Sequence, residues 1–278
     1  MRHTIRFDDD ELYKAATREP NDHIRSLVDT YRYSQGIGGE DYGRVSSLDT
    51  TRAARIADAY RDMPHRPDHP AVKTAYDALK RETLEQFRHL IGAGYRFTPH
   101  TGGNEPYEDS RAALNDLRTN KHLLYFPTLP EHGGAFPEGD FPHDHPLLEE
   151  TGYYLGKRPL LYNDALRIAH DVFGHGADGN QFGALGEENA WRKHAGMYSA
   201  AAVPALTAET RGQNSWVNFG SHIRRKDGST PVKGESDYIH PANRPFADQK
   251  SGLLPPEFAK PEPLAKARGF LFTKIRQV

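Results

Sequence analysis

Apolar residues along the first third of the chain recur at helical spacing rather than alternating. In "HPAVKTAYDALKRETLEQFRHLIGAG", Val72, Tyr76, Leu79, Phe87, Leu90 and Ile91 fall on one face of a 3.6-residue period. A proline opens this stretch and glycines close it, the usual asymmetry of helix ends. Weaker amphipathic patterns predict helices over about 9–18, 22–34, 50–62 and 108–119. "HLLYFPTLP" reads as a short buried strand, and "EHGGAFPEGDFPHDHPLLEETG", dense in Gly, Pro and acids, as loop. Helical patterning returns at about 163–174 and 184–208, where Pro204 can kink one long helix. After "SWVNFG" the chain is again rich in Pro and Gly and is expected to wrap the body, until a short amphipathic end at "PLAKARGFLFTKIRQV". The pattern predicts a single domain over 1–278, mainly α with a few short β-strands. Its parts are a helical N-terminal region (about 1–120), a region carrying the candidate chemistry (about 160–220) and a wrapping C-terminal region (about 221–278).

Composition narrows the function classes. Charged residues make up 27% of the chain, the formal net charge is −2, and no dense Lys/Arg block reads as a nucleic-acid surface. No apolar run reaches the length of a membrane span, and "MRHTIRFDDDEL" lacks the apolar core of a signal peptide. A cytoplasmic protein acting on a small molecule, without nucleic-acid or membrane partners, is therefore expected; nothing in the sequence sets the oligomeric state. The chain has no cysteine and 15 histidines, so any metal must be held by His, Asp, Glu or water.

The histidines that matter most lie in "NDALRIAHDVFGHGADGN". Asn163 is a suitable N-cap, with Asp164 in the first turn. His170 and His175 are five residues apart, about 140° around a regular α-helix, and cannot converge from one. Gly174 and Gly176 offer a remedy, because a helix can end or distort at glycine and let His175 turn back. The alternative is a packed core histidine followed by a cap that suits the helix dipole. If the two are ligands, a third should be a carboxylate on a nearby helix: Glu187, Glu188 or Glu209. On one straight helix Glu187 and Glu209 would stand roughly 33 Å apart, so they exclude one another unless Pro204 reverses the chain. Glu187 and His194 share a face but lie about 10 Å apart along the axis. Two imidazoles and one carboxylate leave three positions open on an octahedral ion, the arrangement of non-haem iron(II) oxygenases, where substrate and O2 bind side by side.

"HDVFGH", with Glu209 in "PALTAET" 34 residues further on, resembles the iron site of the pterin-dependent aromatic amino acid hydroxylases. The resemblance spans about 50 of 278 residues. It implies His170, His175 and Glu209 as ligands of iron(II), with an aromatic or amino-acid-like substrate and O2. The Pro-Glu-Pro-Asp stretch of that family is replaced by "LLYNDALRI", and no pterin-contacting residue can be placed, so a tetrahydropterin is left unsupported. Zinc or a second metal remains open, as in a hydrolase or a two-metal carboxylate oxidase recruiting Glu187, Glu188 or His194. A non-enzymatic protein with structural histidines is the further alternative.

Around these residues, Asp171 could orient a ligand or be a solvated helix residue. "ETRGQNSWVNFG" places Arg211, Asn214 and Trp216 just after Glu209. An arginine can grip a carboxylate and an indole can stack on a ring, so these three are expected at a substrate. Glu188 and Arg192 read as an ordinary i,i+4 ion pair. "PHDHP" offers His143, Asp144 and His145, whose alternation more often decorates a surface than binds a metal.

Overall fold

The longest described helix organises the computed structural model, which describes residues 19–38, 42–102, 106–128 and 141–261. This helix, α3 (Pro70–Gly92), carries a proline in its first turn and buries Val72, Tyr76, Leu79, Thr83, Phe87 and Leu90, an i,i+3/i+4 stripe. Ile91 stands one position off that stripe and is 41% exposed, so the expected apolar face is narrower than the pattern suggested. Before α3 come α1 (Asp22–Ser34) and α2 (Thr50–Asp62). Asn21 and Asp49 cap them by accepting from Ile24 N–H and Arg52 N–H. After α3, β1 (Arg96–Pro99), α4 (Ser110–Asn120) and β2 (His122–Tyr125) form a compact unit in which β1 and β2 pair in parallel. The expected strand at "HLLYFPTLP" is β2, cut to its first four residues. A hairpin of β3 (Glu150–Leu155) and β4 (Arg158–Leu161) leads into α5 (Tyr162–Ala169). The fold is mainly α with a few short strands. The helix expected at 9–18, most of the loop after β2 and the amphipathic C-terminal end lie outside the described residues.

Two apolar clusters flank α5. Ile168, Val172 and Phe173 pack with Ile24 of α1, Phe87 of α3, Phe97 of β1 and Leu123 of β2. Leu166, on the other face, packs with Tyr76 and Leu79 of α3, Trp191 and Leu206. Truncating a core leucine such as Leu79 to alanine would cost about 2–5 kcal/mol.

Two expectations about the 160–220 region change. The helix expected at 184–208 is broken into α6 (Ala184–Ala195) and α7 (Val203–Thr207), and Pro204 sits in the first turn of α7, where its missing N–H is not needed. α7 passes through a π-helical turn (Ala208–Gly212) into α8 (Gln213–Phe219). Because the chain reverses between α6 and α7, Glu187 and Glu209 line one cavity instead of standing a helix length apart. At the start of α5, Asn163 is not the cap: its Nδ2 donates to Thr128 Oγ1 at 2.9 Å. Asp164 takes the capping role, accepting from Leu161 N–H at 3.1 Å and from Thr128 N–H at 2.8 Å. In the C-terminal stretch, Leu254 and Phe258 pack against Ile56 and Tyr60 of α2. No helix among the described residues is long and apolar enough to cross a membrane.

Candidate metal centre

His170 and His175 bracket a π-helical turn, His170–Gly176, that continues α5. A π-turn pairs residues five apart, whereas an α-turn pairs those four apart. The two imidazoles are thereby brought to one side, with ring centroids 5.1 Å apart. The two glycines act by their size, not by a left-handed backbone, since neither has a positive φ. A Cβ at Gly174 would meet the Ala190 carbonyl of α6 at 2.9 Å, and one at Gly176 would meet Ile24 at 2.9 Å. The absent side chain at Gly174 lets α6, and that at Gly176 lets α1, lie directly against the π-turn. Gly186 tightens the same joint: a Cβ there would fall 1.8 Å from the Gln181 carbonyl.

That close approach delivers Glu187. Its Oε2 stands 3.5 Å from His170 Nε2 and 3.4 Å from His175 Nε2. One ligand atom from each of His170, His175 and Glu187 lies within 4.8 Å of the other two, a group that could hold a metal ion. Donors sharing one ion at about 2.1 Å stand about 3.0–3.4 Å apart, close to what is seen.

The hydrogen-bond network leaves both Nε2 atoms with a lone pair. His175 Nδ1 lies 3.0 Å from the Asn180 carbonyl, which can only accept, so the ring proton is on Nδ1. Asn180 is fixed in turn: its N–H donates to the His175 carbonyl and its Nδ2 to the Gly174 carbonyl. For His170 the chain is longer. Gln86 Nε2 donates to the Met197 carbonyl, leaving Gln86 Oε1 to accept from His194 Nε2–H at 2.7 Å. His194 Nδ1 is then bare and accepts from His170 Nδ1–H at 3.2 Å. His170 Nε2 has no hydrogen-bond partner in the buried interior. An orphaned lone pair aimed at a carboxylate is repulsive unless a cation or proton lies between them, so these residues fit a metal.

Charge coupling agrees. Burial alone would raise the Glu187 carboxyl, but His175 and His170 outweigh it and hold the pKa at about 2. Burial opposes protonation of His175, yet Glu187 wins and raises its pKa above the ordinary value. Burial, followed by the other two histidines, drives His194 well below the ordinary value and keeps it neutral. Burial raises Asp171, against the pull of His175 and His170. Asp171 lines the cavity beside the centre, while the hydrogen bonds that orient the imidazoles come from Asn180 and His194.

The other sequence-predicted residues separate. Glu209 lines the same cavity but does not join the two imidazoles; it accepts from Tyr76 Oη–H and from Gln213 Nε2–H at 2.9 Å, with His145 Nε2 at 3.3 Å. The interval to the second histidine favoured Glu209 in the sequence, whereas the fold brings α6 closer to the π-turn than α7. Arg211 does not reach the cavity. It is buried in a bidentate pair with Glu188 at 2.7–2.8 Å and stacks over Trp191 at 3.9 Å. Glu188, also held by Arg192 at 2.8 Å, is thereby committed to arginines, away from any metal. Trp216 stacks on His222 and packs toward α2. Of the three expected substrate contacts only Asn214 lines the cavity.

Sequence reading missed His145 and Tyr76. His145 is buried against Glu209 while its neighbours His143 and Asp144 are exposed, so only part of "PHDHP" is surface decoration. Tyr76 was read as one more apolar position of the α3 stripe. A tyrosine there was the available signal, since a buried hydroxyl needs a partner. The cavity encloses about 290 Å³, with Leu124, Phe126, Leu166 and Phe246 among its apolar walls. The chain matches no family model, no curated protein and no solved structure.

Proposed function

We propose that the protein is a mononuclear non-haem iron(II) enzyme that oxidises an aromatic or amino-acid-like small molecule with O2. The observation that carries this reading is the convergence of His170 Nε2, His175 Nε2 and Glu187 Oε2, with both imidazole protons held on the far nitrogens. Two imidazoles and one carboxylate would hold the ion on one side and leave adjacent positions for substrate and O2. Iron bound there would supply one-electron chemistry with O2 that side chains lack.

The chain's own residues perform the remaining tasks. Asn180 and His194 fix the tautomers of the two imidazoles, which holds the donor atoms in place before a metal arrives. The apolar walls exclude water and seat an apolar or aromatic body, and Phe182 packs edge-on against His175. The likeness of "HDVFGH" to the hydroxylase iron site supports iron, with Glu187 in place of Glu209 as the carboxylate.

The test is metal analysis of untagged protein after anaerobic loading with iron(II), followed by O2 uptake with candidate aromatic substrates. One equivalent of iron and substrate-dependent O2 consumption are expected. Zinc retained in preference to iron, with no O2 uptake, would favour the hydrolase reading.

A further inference from the structure

From the surroundings of Glu209, we infer that its carboxylate anchors a protonated primary amine on the ligand that enters the cavity. This rests on the cavity being the binding site and not on which metal occupies it.

Glu209 is 8% exposed and shares the cavity with His170 and Glu187. Among the described residues, those paired with Glu209 offer it hydrogens and no lysine or arginine charge. Leu147 N–H donates to His145 Nδ1 at 3.2 Å, so that ring is uncharged and carries its proton on Nε2, the atom 3.3 Å from Glu209 Oε1. Tyr76 donates its hydroxyl proton, and its pKa is raised well above the ordinary value by burial and then by Glu209 itself. Gln213 donates an amide hydrogen at 2.9 Å. Among the described residues no lysine or arginine pairs with Glu209. The other buried glutamate of this region, Glu188, is matched by Arg192 and Arg211. A buried carboxylate without a cation is costly, and it is retained where a cation arrives from outside.

The kind of cation follows from the hydrogens. At the metal centre the imidazoles present lone pairs, but around Glu209 Tyr76 and Gln213 present protons, which suits hydrogen-bond support of an anion and opposes a second metal. Two hydrogen-bond donors, Tyr76 and Gln213, leave about two of the four acceptor positions of a carboxylate, enough for an ammonium. The apolar walls then select an amine on an apolar body.

The test compares 2-phenylethylamine with its uncharged isostere 2-phenylethanol by calorimetry near neutral pH, on the metal-loaded protein and on Glu209→Gln. The native protein should bind the amine at least about 10-fold more tightly, the size of a charge-assisted hydrogen bond. Glu209→Gln should lose that preference and keep its full metal content. Equal binding of amine and alcohol by the native protein would overturn the inference without any variant. Amine preference surviving in Glu209→Gln would also overturn it, since the amine would then be held elsewhere, as by the metal. Loss of one equivalent of metal in that variant would instead make Glu209 a ligand and sink the inference. If Glu209→Gln fails to fold, Glu209→Asp, which keeps the charge on a shorter arm, should retain a weakened amine preference; an unweakened one counts against it. Absence of metal from the native protein would defeat the reading of the centre while leaving this comparison intact.

Discussion

His170 donates its Nδ1 proton to Nδ1 of His194 at 3.2 Å, and His194 in turn donates from Nε2 to Gln86 at 2.7 Å. A residue of α3 thereby sets the tautomer of an imidazole on the π-helical turn through a residue of α6. His194→Leu removes the acceptor, so His170 is free to place its proton on the atom that faces Glu187. Metal affinity should fall about 10–100-fold, the usual cost of losing an orienting partner. Two unsatisfied buried groups should also lower stability by about 1–3 kcal/mol. Competitive chelator titration beside thermal melts checks both; unchanged metal affinity would show that the relay is not needed.

The ion pair between Glu187 and His175 makes a pH prediction for the metal-free protein. The Glu187 carboxyl falls from an ordinary 4.5 to about 2 on folding, so its contribution is present above pH 4.5 and lost as pH falls toward 2. The His175 pKa rises above 6.5, so its contribution is present below pH 6.5 and lost as pH climbs through the raised value. Stability from the pair should therefore peak between about pH 4.5 and 6.5, on the order of 1–3 kcal/mol. A bound ion replaces the His175 proton, so metal-loaded protein should lack the decline on the alkaline side. Melts of both forms from pH 3 to 9 measure this; identical profiles would remove the ion from His175.

Arg211 was expected at the substrate and instead holds Glu188 in the core. Arg211→Lys keeps the charge but loses the planar fork and the stack on Trp191. It should destabilise the protein by about 2–4 kcal/mol, short of the full cost of breaking a buried pair. The surviving folded protein should bind metal and cavity ligands as before, measured by melts and titrations on the same samples.

How much of this was legible in the sequence differs by element. The stripe of α3 and the spans of α1 and α2 follow from local rules and could be read. The pairing of His170 with His175 could be suspected, but its cause could not. Gly174 and Gly176 read as points of backbone freedom, whereas they serve as points of close approach to α6 and α1. Choosing between Glu187 and Glu209 required knowing where the chain reverses, and a proline that begins a short helix looks, in sequence, like one that kinks a long helix. Arg211 and His145 were misplaced for a shared reason: the partner that buries each is distant in sequence. Glu188 lies 23 residues from Arg211. Glu209 lies 64 positions beyond His145.

The most direct test of the metal centre is the metal content of four single variants after dialysis against a mild chelator. With Glu187 as the acidic ligand, the native protein retains one equivalent, His170→Ala, His175→Ala and Glu187→Gln retain almost none, and Glu209→Gln retains the native amount. Metal kept by Glu187→Gln and lost by Glu209→Gln would contradict the account and move the carboxylate ligand from α6 to the π-turn that follows α7.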